Sequence, residues 1–257
     1  MSLRRGEFLL NGLSSIDTYG ARIQDRFDLP FPKRRFTTAV AMGQDGQTIY
    51  DEEAYDDVKI TLNIAVDPLK GKDMSYMRNL LLTAFTGNGV SYIPFIPWFD
   101  DTKIYMLHLD GDAAVVNKYF FENRFMVPIP VTIKPWKALL GSTDMTIVSG
   151  PTGSKLDNQS MYPSQPIFTA TTGSSTNNHE IIVNGVPFKI NNVPNKVITI
   201  DCERYFTGVV SAGGVVTDNL NKYVTTREYP ILKPGINTIR FNGFTSLKMN
   251  PRLRVLV

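Results

Sequence analysis

Val197-Ile-Thr-Ile-Asp-Cys-Glu203 and, about thirty residues on, Lys233-Pro-Gly-Ile-Asn-Thr-Ile-Arg-Phe241 decide the fold class of this chain. Both alternate apolar and polar side chains with period two, so each is expected to be a strand with one buried face. Pro234-Gly235 fits a tight turn: proline presets φ at its first central position and glycine takes the positive φ at its second. A strand, a long excursion, a turn, a strand and then the chain end describe a β-sandwich closing on itself.

Working outward, the 257 residues suffice for one large all-β domain or two ordinary ones. A hydrophobic fraction of 42% and a charged fraction of 20% indicate a globular chain with a sizeable core. The net charge of +3 comes from 27 basic and 24 acidic residues spread along the chain. The basic clusters, Arg4-Arg5 and Lys33-Arg34-Arg35, are too short to mark a nucleic-acid surface and are assigned to solvated charge or an interface ion pair. A lone cysteine rules out an intrachain disulfide and suits folding in a reducing cytosol. Cys202 is expected to be a packing residue on the strand face opposite Ile198 and Ile200. The N-terminal Met-Ser-Leu-Arg-Arg-Gly-Glu-Phe lacks the apolar run of a signal peptide, and no stretch is long enough to span a bilayer as a helix.

Phe8-Leu9-Leu10 runs into an Asn11-Gly12 turn. Phe36–Met42 and Gln47–Tyr50 form strands joined by Gly43-Gln44-Asp45-Gly46. Val58–Val66 alternates strictly, with Val58, Ile60, Leu62, Ile64 and Val66 on one face. One helix is predicted, from an Asp73 cap to a Gly87 stop, with Met74, Met77, Leu80, Leu81, Ala84 and Phe85 forming its apolar stripe. Pro94 and Pro97 in 91–98 predict an edge strand or an extended connection, and Pro128 and Pro130 in 120–133 predict an edge strand. A boundary falls near 138–146, giving a domain at 1–140 and an all-β domain at 141–257, which contains no predicted helix. Asn184-Gly185 inside 180–190 is the strongest hairpin signal.

Chemistry-bearing constellations are scarce. His108 and His179 have no companion at metal-ligand spacing. No nucleophile elbow, phosphate loop or dinucleotide fingerprint occurs. Asp51-Glu52-Glu53, Asp56-Asp57 and Asp100-Asp101 are adjacent acids that diverge on extended chain, unlike the facing pair of a glycosidase. Trp98 and Trp136 lie beside prolines in the first half. Tyr205 and Phe206 follow the deciding strand and, with Tyr223, are the candidates for an exposed aromatic surface in the second half.

In this order and spacing the elements resemble the distal tail (Dit) proteins of bacteriophages with long, non-contractile tails. The resemblance rests on the Asn11-Gly12 turn, the loop at Gly43-Gln44-Asp45-Gly46, the strand at 58–66 before the helix at 73–86, Val90-Ser-Tyr-Ile-Pro-Phe95 and Lys134-Pro135. In the second half it rests on Pro166-Ile167-Phe168, Ile182-Val183-Asn184-Gly185, Ile198–Glu203 and Pro234-Gly235-Ile236-Asn237. Many members carry Arg where this chain has Gln44. The resemblance implies a mainly β fold: an N-terminal β-sandwich or barrel-like domain with one helix, then a galectin-like β-sandwich. It implies a hexameric ring of N-terminal domains at the virion tail tip, made in the host cytoplasm. The ring would join the tail tube protein to a tail-associated lysin or tail fibre protein, and the second domain would hold receptor-binding proteins. No enzyme activity, cofactor, nucleic acid or membrane is implied. Lys33, Arg34, Arg35, Gly43, Asp45, Gly46, Asp51, Glu52 and Glu53 are the candidate subunit or tube interface, with the basic and acidic triplets pairing between neighbours. Tyr205, Phe206 and Tyr223 are the candidate docking surface. The alternative is a carbohydrate-binding adhesion module of a phage baseplate; a hydrolase of cell-wall polysaccharide is more distant.

Overall fold

The computed structural model describes every residue except 1, 41, 44, 68, 70, 87–91, 112–124, 141, 143, 151, 175–178 and 212–213. Gln44, the helix stop at Gly87, the start of the segment quoted from Val90 and the 120–124 part of a predicted strand lie outside the described residues. Contacts cluster into two compact units, 1–140 with 256–257, and 141–255.

The first unit opens with β1 (Phe8–Leu10) and β2 (Leu13–Ser14), paired across the Asn11-Gly12 turn. A short helix absent from the sequence expectation follows, α1 (Ser15–Tyr19), so the described residues of this unit hold two helices. Its signals are a Ser14 cap whose hydroxyl accepts from Asp17 N, and Gly20 as the left-handed terminator. Next come β3 (Ala21–Ile23), β4 (Arg34–Ala39), β5 (Thr48–Tyr55), β6 (Val58–Val66), α2 (Met74–Thr86), β7 (Ile93–Pro97), β8 (Lys103–Leu109), β9 (Phe125–Ile133) and β10 (Trp136–Leu139). Asp73 caps α2 by accepting from Tyr76 N at 2.7 Å. The buried stripe Met77, Leu81 and Phe85 joins one core with Phe8, Leu62, Ile64, Phe95, Leu107 and Val131.

The sheet order is β2-β1-β7-β8-β9-β6-β3. This corrects the edge-strand expectation for the proline segments, since β7 lies between β1 and β8, and β9 between β8 and β6. The physical reason is stagger. The two ladders of β7 overlap only at Phe95. The missing N–H of Pro94 therefore falls past the end of β1, while its carbonyl still accepts from Asn11 N at 2.8 Å. Pro128 and Pro130 lie beyond the three β9 residues that pair with β8, so each is locally at an edge inside an interior strand.

The second unit is a two-layer sandwich of β11 (Met145–Thr146), β12 (Ser154–Asn158), β13 (Ile167–Thr172), β14 (His179–Val183), β15 (Val186–Ile190), β16 (Val197–Asp201), β17 (Phe206–Val210), β18 (Val216–Asn219), β19 (Gly235–Asn242) and β20 (Phe244–Asn250). One layer runs β11-β20-β13-β16-β17-β18 and the other β12-β19-β14-β15. The two deciding strands thus lie in opposite layers. Ile198 and Ile200 meet Ile239 and Phe241 in one core with Phe168, Phe188 and Leu247. Among the described residues, a single 3-10 turn, Asn221–Tyr223, is added to the all-β expectation. Cys202 is corrected: it follows Ile198 and Ile200 in two-residue steps, so it shares their inward face and is buried with them. Asn237 closes the Pro234-Gly235 turn, accepting from Lys233 N at 2.9 Å and donating to the carbonyls of Lys233 and Gly235. Asn184 donates to Asn237 at 2.8 Å, which ties the Asn184-Gly185 hairpin to this turn.

Candidate assembly interface

β4 and β5 form a ribbon that pairs with no other strand among the described residues. All of β4 is exposed, as is β5 as far as Glu53. Register places Phe36 opposite Asp51, Thr37 opposite Tyr50, and Thr38 opposite Ile49. Directly opposed residues share a face, so Phe36 and Ile49 are on one side and Tyr50 is on the other. Phe36 is 51% exposed and Ile49 65%, and Tyr50, Val40 and Met42 are also exposed. An isolated two-stranded ribbon is marginally stable in water, and large apolar side chains on both its faces are characteristic of an arm that another chain covers. Gly43 and Gly46 have φ of 82° and 86° at the tip, a conformation that favours glycine, and exposed Asp45 lies between the two.

The basic and acidic triplets flank the base of this ribbon, and Arg34, Arg35, Asp51 and Glu52 find partners within the chain. Arg34 grips Asp51 with two nitrogens, Nε–Oδ1 at 2.8 Å, and its guanidinium stacks over the Tyr55 ring. Arg35 faces Glu52 at 3.7 Å and Asp56 at 3.9 Å, and Thr37 donates to Glu52 at 2.8 Å. A bulge between Arg34 and Phe36 makes this possible: Glu53 adopts φ 53°, and its N–H donates to Asp51. The Arg34 guanidinium holds the Asp51 carboxyl below the usual carboxylate range. Within the chain, Arg34 and Arg35 of the basic triplet thus pair with Asp51, Glu52 and Asp56 across and beside the ribbon. The ribbon also exposes large apolar side chains, which the sequence reading did not single out. The signal was available as Phe36, Ile49 and Tyr50 in strands that alternate without an inward face.

In the second unit Tyr205 is 58% exposed at φ 50°, edge-on to Tyr229 at 5.5 Å. Phe206 and Tyr223 are half-buried, and Tyr223 packs on the core. Tyr205 is the most exposed of the three. Its loop is pinned by Asp201, which accepts from Glu203 N and Arg204 N and is gripped by Arg252 at 2.7 and 3.1 Å. This carboxylate is fully engaged in structure, and burial pushes the neighbouring Cys202 thiol far up. His108 Nδ1 lies 2.9 Å from its neighbour's carbonyl, Leu109 O, and His179 is buried against Phe244. Among the described residues, no three of His, Cys, Asp and Glu come together as a metal site.

No protein-family model and no curated protein matches the sequence. Solved structures match the fold over both units. The Dit protein of phage SPP1, described as a paradigm of hub adsorption apparatus in phages infecting Gram-positive bacteria, superposes with a TM-score of 0.55 at 12% identity, covering 95% of this chain and 96% of that one. Chains of the phage P2 baseplate in its activated conformation match similarly. The form with Ca gives a TM-score of 0.52 at 9% identity over 96% of this chain and 97% of that one. The form with Sr gives 0.54 at 9% identity over 98% and 97%. In fold, this chain is similar to the Dit protein of phage SPP1 and to these chains of the phage P2 baseplate.

Proposed function

We propose that this chain is a structural hub of a phage tail tip, a non-enzymatic protein that closes into a hexameric ring through its N-terminal unit. The observation that carries the reading is a single match running through both units to nearly the whole length of known hub chains. The exposed β4–β5 ribbon supports it, because a ring requires a heterologous contact, and an apolar arm on one subunit supplies one half. In this reading the ring sits between the tail tube protein and a tail-associated lysin or tail fibre protein. The C-terminal sandwich holds receptor-binding proteins around Tyr205. The engaged state of Asp201 and the burial of Cys202 support a non-catalytic role. The test replaces 36–50 by a two-residue turn. Loss of the ring with retention of a folded monomer is expected, whereas an unchanged ring rules out the arm.

Tyr205 favours a second reading, a carbohydrate-binding adhesion module, because an exposed ring is a stacking platform. Saturable glycan binding that disappears in Tyr205→Ala is its signature; absence of binding to host cell-wall glycans excludes it.

A further inference from the structure

Two stretches of this chain follow one pattern. Asp28-Leu-Pro-Phe-Pro-Lys33 in the first unit and Glu228-Tyr-Pro-Ile-Leu-Lys233 in the second each run acid, apolar, proline, apolar, apolar, lysine. Neither contributes to a strand apart from one bridge, Leu232 to Ser164. In each, the charged ends are exposed, the fifth residue is buried as an anchor, and the fourth, Phe31 or Ile231, points to solvent. Among the described residues none of the four charged ends has an ion-pair partner in its own chain.

Ile231 borders a groove of about 210 Å³ whose walls include Val186, Pro187, Phe188 and Tyr229. A cavity of roughly 150 Å³ admits benzene, so this groove has room for one aromatic ring. A β-strand is a poor occupant. Pro187 offers no N–H on the exposed edge of β15, and the outward groups of Lys189 are already bonded to Thr225 and Thr226. Phe31, at 74%, is the most exposed aromatic side chain among the described residues. Prolines on both sides restrict its backbone and so lower the entropy lost on docking.

We propose that Phe31 of one copy seats in this groove of a second copy. The two segments run antiparallel, so that Asp28 meets Lys233 and Lys33 meets Glu228. At about 3.3 Å per residue both segments span the same ~16 Å, and both ion pairs close together. Lys33 leads directly into β4, so the contact continues the arm's interface. The inference rests on the ring reading above, and deepens it by naming a second subunit contact.

The test mixes Phe31→Cys chains with size-tagged Val186→Cys chains before assembly, then oxidises them; native Cys202 is buried and does not compete. The expected product is a tagged–untagged disulfide pair, in excess over a control pairing Phe31→Cys with Val148→Cys. Adding Asp28→Lys and Lys33→Glu to the first chain lowers its yield about tenfold. Adding Glu228→Lys and Lys233→Glu to the second restores it. A mixed pair no more abundant than the control, or a yield indifferent to charge reversal, overturns the inference whether or not rings form. Ring mass of the unmodified chain, measured in parallel, reports separately on the hub reading.

Discussion

Phe36→Ala removes the largest apolar side chain on one face of the arm, and its effect can be worked from exposure. A buried aromatic side chain removes about 150–250 Å² from water. With Phe36 51% exposed, about 100 Å² remains for a neighbouring subunit to cover. At ~25 cal/mol per Å² this amounts to ~2.5 kcal/mol, and alanine keeps part of it, leaving a loss of about 2 kcal/mol per interface. Because ordering the arm on binding offsets some of the gain, that figure is an upper bound. It corresponds to as much as a 30-fold weaker contact, roughly, repeated at each interface of the ring. Folding of the monomer changes by less than ~0.5 kcal/mol, since the side chain touches no core. Sedimentation over a concentration series, with thermal unfolding as the control, measures both. A ring that dissociates at the same concentration as wild type refutes the arm as a contact. A large drop in melting temperature refutes the claim that Phe36 is free in the monomer.

Glu7 is almost wholly buried and held by Arg4 and Ser14, and the Arg4 guanidinium draws its carboxyl from 4.5 down to about 2. Its folded pKa is depressed, so its contribution is present above pH 4.5 and is lost as pH falls through about 2. Discounted for half-exposed Arg4, Glu7→Gln costs about 1–2 kcal/mol at pH 7. Urea titrations should show the gap to wild type closing across that window; a gap independent of pH contradicts the assignment. Arg252→Ala strands the buried Asp201 carboxylate and costs ~2–4 kcal/mol, softened by its two remaining backbone donors. Asp201→Asn in the same chain recovers part of that loss in a double-mutant cycle. Gly20→Ala places a Cβ 2.0 Å from Asp67 O at a φ of 59°, so it destabilises the first unit by about 2 kcal/mol or more, readable by denaturant midpoint.

Periodicity made the half-buried strands legible. In Val58–Val66 the predicted inward residues are buried or, for Ile60, half-buried. The Asn184-Gly185 turn was legible because its dipeptide has the backbone freedom the hairpin demands. Elements held by partners rather than by pattern were not. β12, Ser-Lys-Leu-Asp-Asn, has little apolar content and exists because β19 pairs with all five of its residues. The prolines of β7 and β9 misled, because their compatibility with an interior strand depends on where the neighbouring strands end. Helix α1 is five residues long, too short for a periodic stripe, and only its capping residues announce it. At the candidate interface the sequence singled out the charges of this hairpin and assigned them to a neighbour, whereas Arg34 and Arg35 have acidic partners in their own chain. A bulge at Glu53 brings them together within one chain, and bulges leave little trace in residue type.

The mass of the assembled protein in solution, by light scattering coupled to gel filtration, tests the hub reading most directly. The account predicts a species near six times the 28.8 kDa chain mass that is lost when the arm is removed. A monomer at every concentration, or a six-fold species indifferent to removal of the arm, would contradict it.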